Sequence, residues 1–146
     1  KMLESGINVA LGTDGAASNN NLNIMQDMYL FGVVYKGYFR DPTIITPAEV
    51  LHAATRAGAL SQGRDDSGLL AVGMRADLCV LNTDTPQFTP MTSAACNVVY
   101  AAQGADIRMT MVDGEILYRD GEFKTIDIEK VKAEVQRRTD SILSRL

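Results

Sequence analysis

The chain has 146 residues, 46% of them apolar, and a net charge of −4. That length suits one ordinary domain, and that apolar share excludes a disordered chain. Lys and Arg are scattered, which disfavours nucleic acid as a partner, and with no long apolar run and no signal peptide the expectation is a cytoplasmic protein without a membrane span.

In chain order, Lys1 to Gly6 reads as the last turn of a helix closed by a glycine C-cap. Ile7 to Leu11 is short and mostly apolar, as expected for a strand buried on both faces. A polar loop follows, Gly12-Thr13-Asp14-Gly15-Ala16-Ala17-Ser18-Asn19-Asn20. From Leu22 to about Lys36, Leu22, Met25, Met28 or Tyr29, and Gly32 or Val33 recur at helical spacing. Asp41-Pro42 and Ile44-Ile45 form a connector. Thr46-Pro47-Ala48-Glu49 opens another helix, with Thr46 as cap, Pro47 at the first helical position and Glu49 completing a capping box. Val50, Leu51, Ala54 and Ala57 give its inner side, and Gly58 interrupts it. Residues 1–62 thus read as the end of a βα array.

Residues 63–123 change character. Asp65-Asp66-Ser67-Gly68 is a turn, Asp77 to Leu81 a strand, and Thr85-Pro86 to Pro90 a loop. Ser93 to Ala101 suits a short helix. Ile107 to Val112 and Ile116 to Arg119 are strands joined by Asp113-Gly114, a favoured hairpin turn. Short strands with tight turns suggest a sheet or sandwich apart from the βα array. Residues 124–146 read as a linker and an amphipathic helix from about Asp127 to Leu146, with Ile128, Val131, Val135, Ile142 and Leu146 on one face. Docking of that face on its own domain is the expectation, with a homo-oligomer interface as the other outcome.

Asp14 is the candidate residue for chemistry. A carboxylate at the mouth of a buried strand, flanked by Gly12 and Gly15, is what a metal site or a general base needs, although Asp-Gly is also a common turn. Ser18, Asn19 and Asn20 can hydrogen-bond substrate or cap the next helix. His52 lies inside a helix; a lone histidine without a second ligand reads as structural or surface. Asp27 and Glu49 sit on helices as solvated residues, Asp77 begins a strand with no chemistry assigned, and the methionines read as core filler. Cys79 and Cys96 do not make a metal-type pair, and Cys79 reads as a buried reduced thiol.

Three ordered blocks add to this. Gly12-Thr13-Asp14-Gly15 with Ser18-Asn19-Asn20 and Leu22-Asn23 resembles the eighth-strand loop of the amidohydrolase superfamily, in the branch of S-adenosylhomocysteine and methylthioadenosine deaminases and related chlorohydrolases; that branch has Leu-Asp where this chain has Leu22-Asn23. Ala54-Thr55-Arg56-Ala57-Gly58-Ala59 followed by Gly68 to Leu78 is similar to its second block, and Val112-Asp113-Gly114-Glu115 to its third. The resemblance implies an α/β fold: the C-terminal βα units of a TIM-like (β/α)8 barrel, part of a small β-sandwich, and a terminal helix. It implies one divalent metal, zinc first with iron or manganese as alternatives, and deamination of an aminopurine nucleoside or base by metal-bound hydroxide. Asp14 would be metal ligand and proton acceptor. Such enzymes also use a His-x-His pair and two further histidines, which this chain, with His52 alone, does not have. The expectation is therefore a C-terminal part of a longer enzyme, inactive without its N-terminal portion. A ring amidase, a chlorohydrolase or a non-catalytic assembly module are the alternatives.

Overall fold

The structure is a computed structural model that describes residues 2–145; Lys1 and Leu146, which the sequence places in the first turn and on the terminal helix face, lie outside the described residues. The chain is of the α/β class. Its helices are α1 (Ala16–Asn19), α2 (Ile24–Phe39), α3 (Pro47–Ala54), α4 (Arg56–Ser61), α5 (Ala94–Tyr100) and α6 (Ile128–Leu143). Strands β1 (Leu78–Leu81), β2 (Ile107–Val112), β3 (Glu115–Arg119) and β4 (Glu122–Phe123) form one antiparallel sheet in the order β1-β2-β3-β4. Among the described residues no helix is long and apolar enough to cross a membrane.

The opening turn ends as expected. Gly6 takes φ +70°, the Ile7 amide donates to the Met2 carbonyl at 3.1 Å and the Gly6 amide to the Leu3 carbonyl at 3.0 Å, the paired bonds of a Schellman closure. The expected strand at Ile7 to Leu11 is extended but pairs with no strand among the described residues, and Ile7 is exposed. The reason is physical. A parallel strand exists only through its neighbours, and beyond the opening turn the segment's hydrogen bonds among the described residues run to the second half of the helical array: the Leu11 amide to the Ala53 carbonyl at 2.9 Å and the Asn8 side chain to the Ala57 carbonyl at 3.0 Å.

Helix α2 starts later than Leu22, which is exposed. Asn23 caps it, its side chain accepting from the Met25 amide at 3.1 Å. Ser18, Asn19 and Asn20 therefore do not cap this helix; Ser18 and Asn19 lie in α1, and Asn20 closes it at φ +60°. Met25, Met28 and Gly32 face α3 and α5. A Cβ on Gly32 would lie 3.0 Å from the Tyr100 ring, so a glycine here lets α2 and α5 approach. The capping box at Thr46 and Glu49 forms as expected. The break after α3 falls at Thr55 (φ −125°, ψ −88°) rather than at Gly58, because the Thr55 hydroxyl turns back to the Leu51 carbonyl at 2.7 Å while Gly58 is helical in α4.

The core joins both stretches. Met25 and Met28 of α2, Val50 of α3, Phe88 and Val99 form one cluster, and Phe88 is 1% exposed. Fully burying a side chain of this kind stabilises by roughly 1.5–3 kcal/mol. The Asp113-Gly114 turn joins β2 to β3 with φ values of 53° and 81°, and a second Asp-Gly turn at Asp120-Gly121, with φ values of 49° and 92°, adds β4. Both fit the twist of a hairpin. Where a sheet or sandwich was expected, the described residues form one sheet layer. Two readings are overturned outright. Cys79 is exposed on the edge strand β1 rather than buried. Helix α6, capped by Asp127, buries no residue, and Val131, Val135 and Ile142 are exposed, so its apolar face does not dock on its own domain; the short linker after β4 carries it clear of the core.

Candidate active-site loop

Asp14 ends the extended segment and takes a left-handed backbone, φ +57°. That conformation is uncommon outside glycine, and aspartate tolerates it better than most residues. The turn points the backbone into α1 and folds the side chain onto its start. Asp14 Oδ1 accepts from the Gly15 amide at 2.7 Å, and Oδ2 accepts from the Ser18 hydroxyl at 2.8 Å. The Asn19 side-chain amide donates to the Thr13 carbonyl at 2.8 Å and closes the loop. The Ser18 hydroxyl, first, and the Gly15 amide hold the Asp14 carboxyl below the usual carboxylate range, with slight burial opposing them. The carboxylate is therefore anionic at neutral pH and open to solvent.

Sequence reasoning brought Asp14, Ser18, Asn19 and Asn20 together as one site, and the structure places all four on this loop. It separates their roles. Ser18 and Asn19 are engaged within the loop, whereas the Asn20 side chain is exposed and makes no hydrogen bond among the described residues. His52 is exposed on α3, in a shallow groove with Leu3, Ile7 and Glu49, and joins no second ligand. No group of three His, Cys, Asp or Glu among the described residues could hold a metal ion. Asp14 is by itself a fit ligand for a hard or borderline cation, an anion whose oxygens each retain a free lone pair. One carboxylate is not a coordination shell.

The second sequence block has a structural task that residue types alone did not disclose. Asp77 Oδ1 accepts from the Asp113 amide at 2.7 Å, and Oδ2 accepts from Arg64 at 3.0 Å beside the buried Ser67 hydroxyl. Arg75 pairs with Asp113 at 2.9 Å. Arg56 donates to the Asp65 and Ser67 carbonyls at 2.9 and 2.6 Å. Together these latch the helical array to the β2–β3 hairpin. The available signal was the joint occurrence of Arg56, Gly68 and Asp77 in one block. Asp27 also departs from its expected place: its Oδ2 is buried and makes no hydrogen bond among the described residues, rather than lying on a solvated face.

Comparison with known proteins gives this arrangement a context. The chain is 43% identical over 143 residues to a 5-methylthioadenosine/S-adenosylhomocysteine deaminase of Acetivibrio thermocellus, covering 97% of this chain and 33% of that protein. It is 39% identical over 146 residues to a 5'-deoxyadenosine deaminase of Methanosarcina mazei, covering 100% and 34%. Its fold matches a zinc-bound adenosine deaminase from Xanthomonas campestris with a TM-score of 0.94 at 27% identity, over 98% of this chain and 33% of that one. It matches the zinc complex of atrazine chlorohydrolase TrzN from Arthrobacter aurescens TC1 with a TM-score of 0.84 at 27% identity, over 92% and 30%. The chain spans about a third of the length of the curated relatives it matches. Residues 1–117 match the amidohydrolase family in one continuous run, and on that match the chain belongs to this family.

Proposed function

We propose that this chain is the C-terminal third of a metal-dependent hydrolase that deaminates an aminopurine nucleoside or base, and that Asp14 works at its reaction centre. The observation that carries the reading is the Asp14 carboxylate, fixed by Gly15 and Ser18 at the end of an extended apolar segment in a chain of this family. Residues 1–62 would be the closing βα portion of a (β/α)8 barrel, 63–123 part of a β-sandwich and 124–146 its terminal helix. The single-layered sheet and the unpaired segment at 7–11 support that division, since both are surfaces that further strands would complete.

A divalent metal, with zinc favoured by the zinc-bound relatives, would supply an acidified water at neutral pH. Asp14 would ligate it and carry a proton on its second oxygen from that water to the departing amine. The two jobs pull differently. The hydrogen bonds from Ser18 and Gly15 favour the anion, which suits ligation, and oppose proton uptake. Ser18 accordingly reads as a residue that orients Asp14 rather than one that reads substrate, Asn19 as the loop's internal tie, and Asn20 as the member open to substrate. An aminopurine is favoured because the relatives are deaminases of adenosine-type compounds. The chlorohydrolase match favours one second reading, hydrolytic loss of a different leaving group from a ring carbon. In the longer enzyme, Asp14→Asn should abolish ammonia release while the circular dichroism spectrum stays native. Near-normal turnover in that variant would remove Asp14 from the reaction.

A further inference from the structure

Helix α2 is apolar on more than the side it buries. Met25, Met28 and Gly32 face α3 and α5, and Phe31 packs partly against the same core, whereas Asp27, Leu30, Val34 and Tyr38, spaced i, i+3, i+7 and i+11, share a different side. Leu30, Val34 and Tyr38 on that side are 43%, 53% and 78% exposed. A helix with apolar residues all round belongs inside a larger body. The same side carries Asp27, whose Oδ2 is buried without a hydrogen-bond donor among the described residues. At the start of this array, the Asn8, Val9 and Ala10 amides make no backbone hydrogen bond among the described residues.

We infer that the Leu30–Val34–Tyr38 side of α2 is an interface, and that its occupant is the polypeptide that makes up the other two thirds of the related enzymes. The occupant follows from two observations. The relatives are about three times as long as the chain. The Xanthomonas enzyme holds 98% of this same shape within a chain of which it forms only 33%, so in that protein this fold occurs together with a longer remainder of the same chain. The inference rests on the reading of the chain as part of a longer hydrolase.

The test compares the chain alone with a hybrid polypeptide in which it follows the remaining two thirds of the Acetivibrio relative, both probed by carbene footprinting. Leu30, Val34 and Tyr38 should be labelled in the chain alone and lose that labelling in the hybrid, while Val72, fully exposed on a loop, stays labelled in both. Val34→Glu should leave the melting temperature of the chain alone unchanged and lower that of the hybrid. An active hybrid with the α2 side still labelled overturns the interface and leaves the longer-hydrolase reading standing. Protection in the chain alone, with a dimer mass by light scattering, makes a second copy the occupant and overturns the inference. If neither the hybrid nor co-expression of the two pieces yields a folded assembly, the longer-hydrolase reading falls with it.

Discussion

Gly68 is where the latch can be tested most sharply. Its φ is +77°, and a Cβ built there would lie 2.8 Å from the Arg56 Cα, 2.9 Å from the Thr55 carbonyl oxygen and 3.0 Å from the Ala59 Cβ. Two of these neighbours are backbone and cannot swing away. Holding an L-residue in the left-handed region costs roughly 1–2 kcal/mol, and forcing an extra methyl into packed surroundings a further 1–3 kcal/mol or so. Gly68→Ala should therefore destabilise by about 2–5 kcal/mol, a large part of a typical stability of about 5–15 kcal/mol. Gly63 supplies the control, with φ +70° and nothing within 4 Å of a built Cβ; its alanine variant should lose only the backbone part, about 1–2 kcal/mol. Urea unfolding followed by circular dichroism measures both. Equal losses would show that the close approach of Gly68 to Arg56 and Thr55 is not what the glycine is for.

Two further outcomes follow from the core and the latch. Phe88→Ala should cost about 3–5 kcal/mol in the same assay, since a fully buried ring leaves a cavity, whereas Val72→Ala on the surface should stay within about 0.5 kcal/mol; similar values for the two would place the core elsewhere. Acid should weaken the fold through Asp77, held low first by the Asp113 amide against its own burial, and through Glu49, held low by the Thr46 amide and hydroxyl. Depressed carboxylates contribute stability above the ordinary carboxylate pKa of about 4, and that stability drains as pH falls through their lowered values. Melting temperatures should drop below that pH and drop less steeply in Asp77→Asn; identical acid limbs would exclude Asp77.

What the sequence disclosed was local. The capping box at Thr46 and Glu49, the short helix within Ser93 to Ala101 and the Asp113-Gly114 turn are each local in sequence, and each is present. The Asn23 cap and the Asp120-Gly121 turn are equally local, the first masked by the apolar spacing that begins at Leu22. The failures elsewhere are long-range. Whether Ile7 to Leu11 is a strand and whether the α6 face is covered depend on what lies beside them, and no periodicity states that. The latch lies between: Arg56, Arg75 and Asp77 stood in one block, but Asp77 meets Asp113 across 36 positions. At the loop, the position of Asp14 was legible from the glycines around it, while the inward turn of Ser18 and Asn19 was not, because either residue serves a carboxylate, a carbonyl or a ligand equally well.

The central claim is that Asp14 is one anchor of a metal site whose other anchors lie outside this chain. Zinc content by plasma mass spectrometry, measured together with ammonia release from adenosine-type substrates on the purified chain, tests it directly. The account predicts substoichiometric zinc and no release. Stoichiometric zinc with measurable ammonia would contradict it.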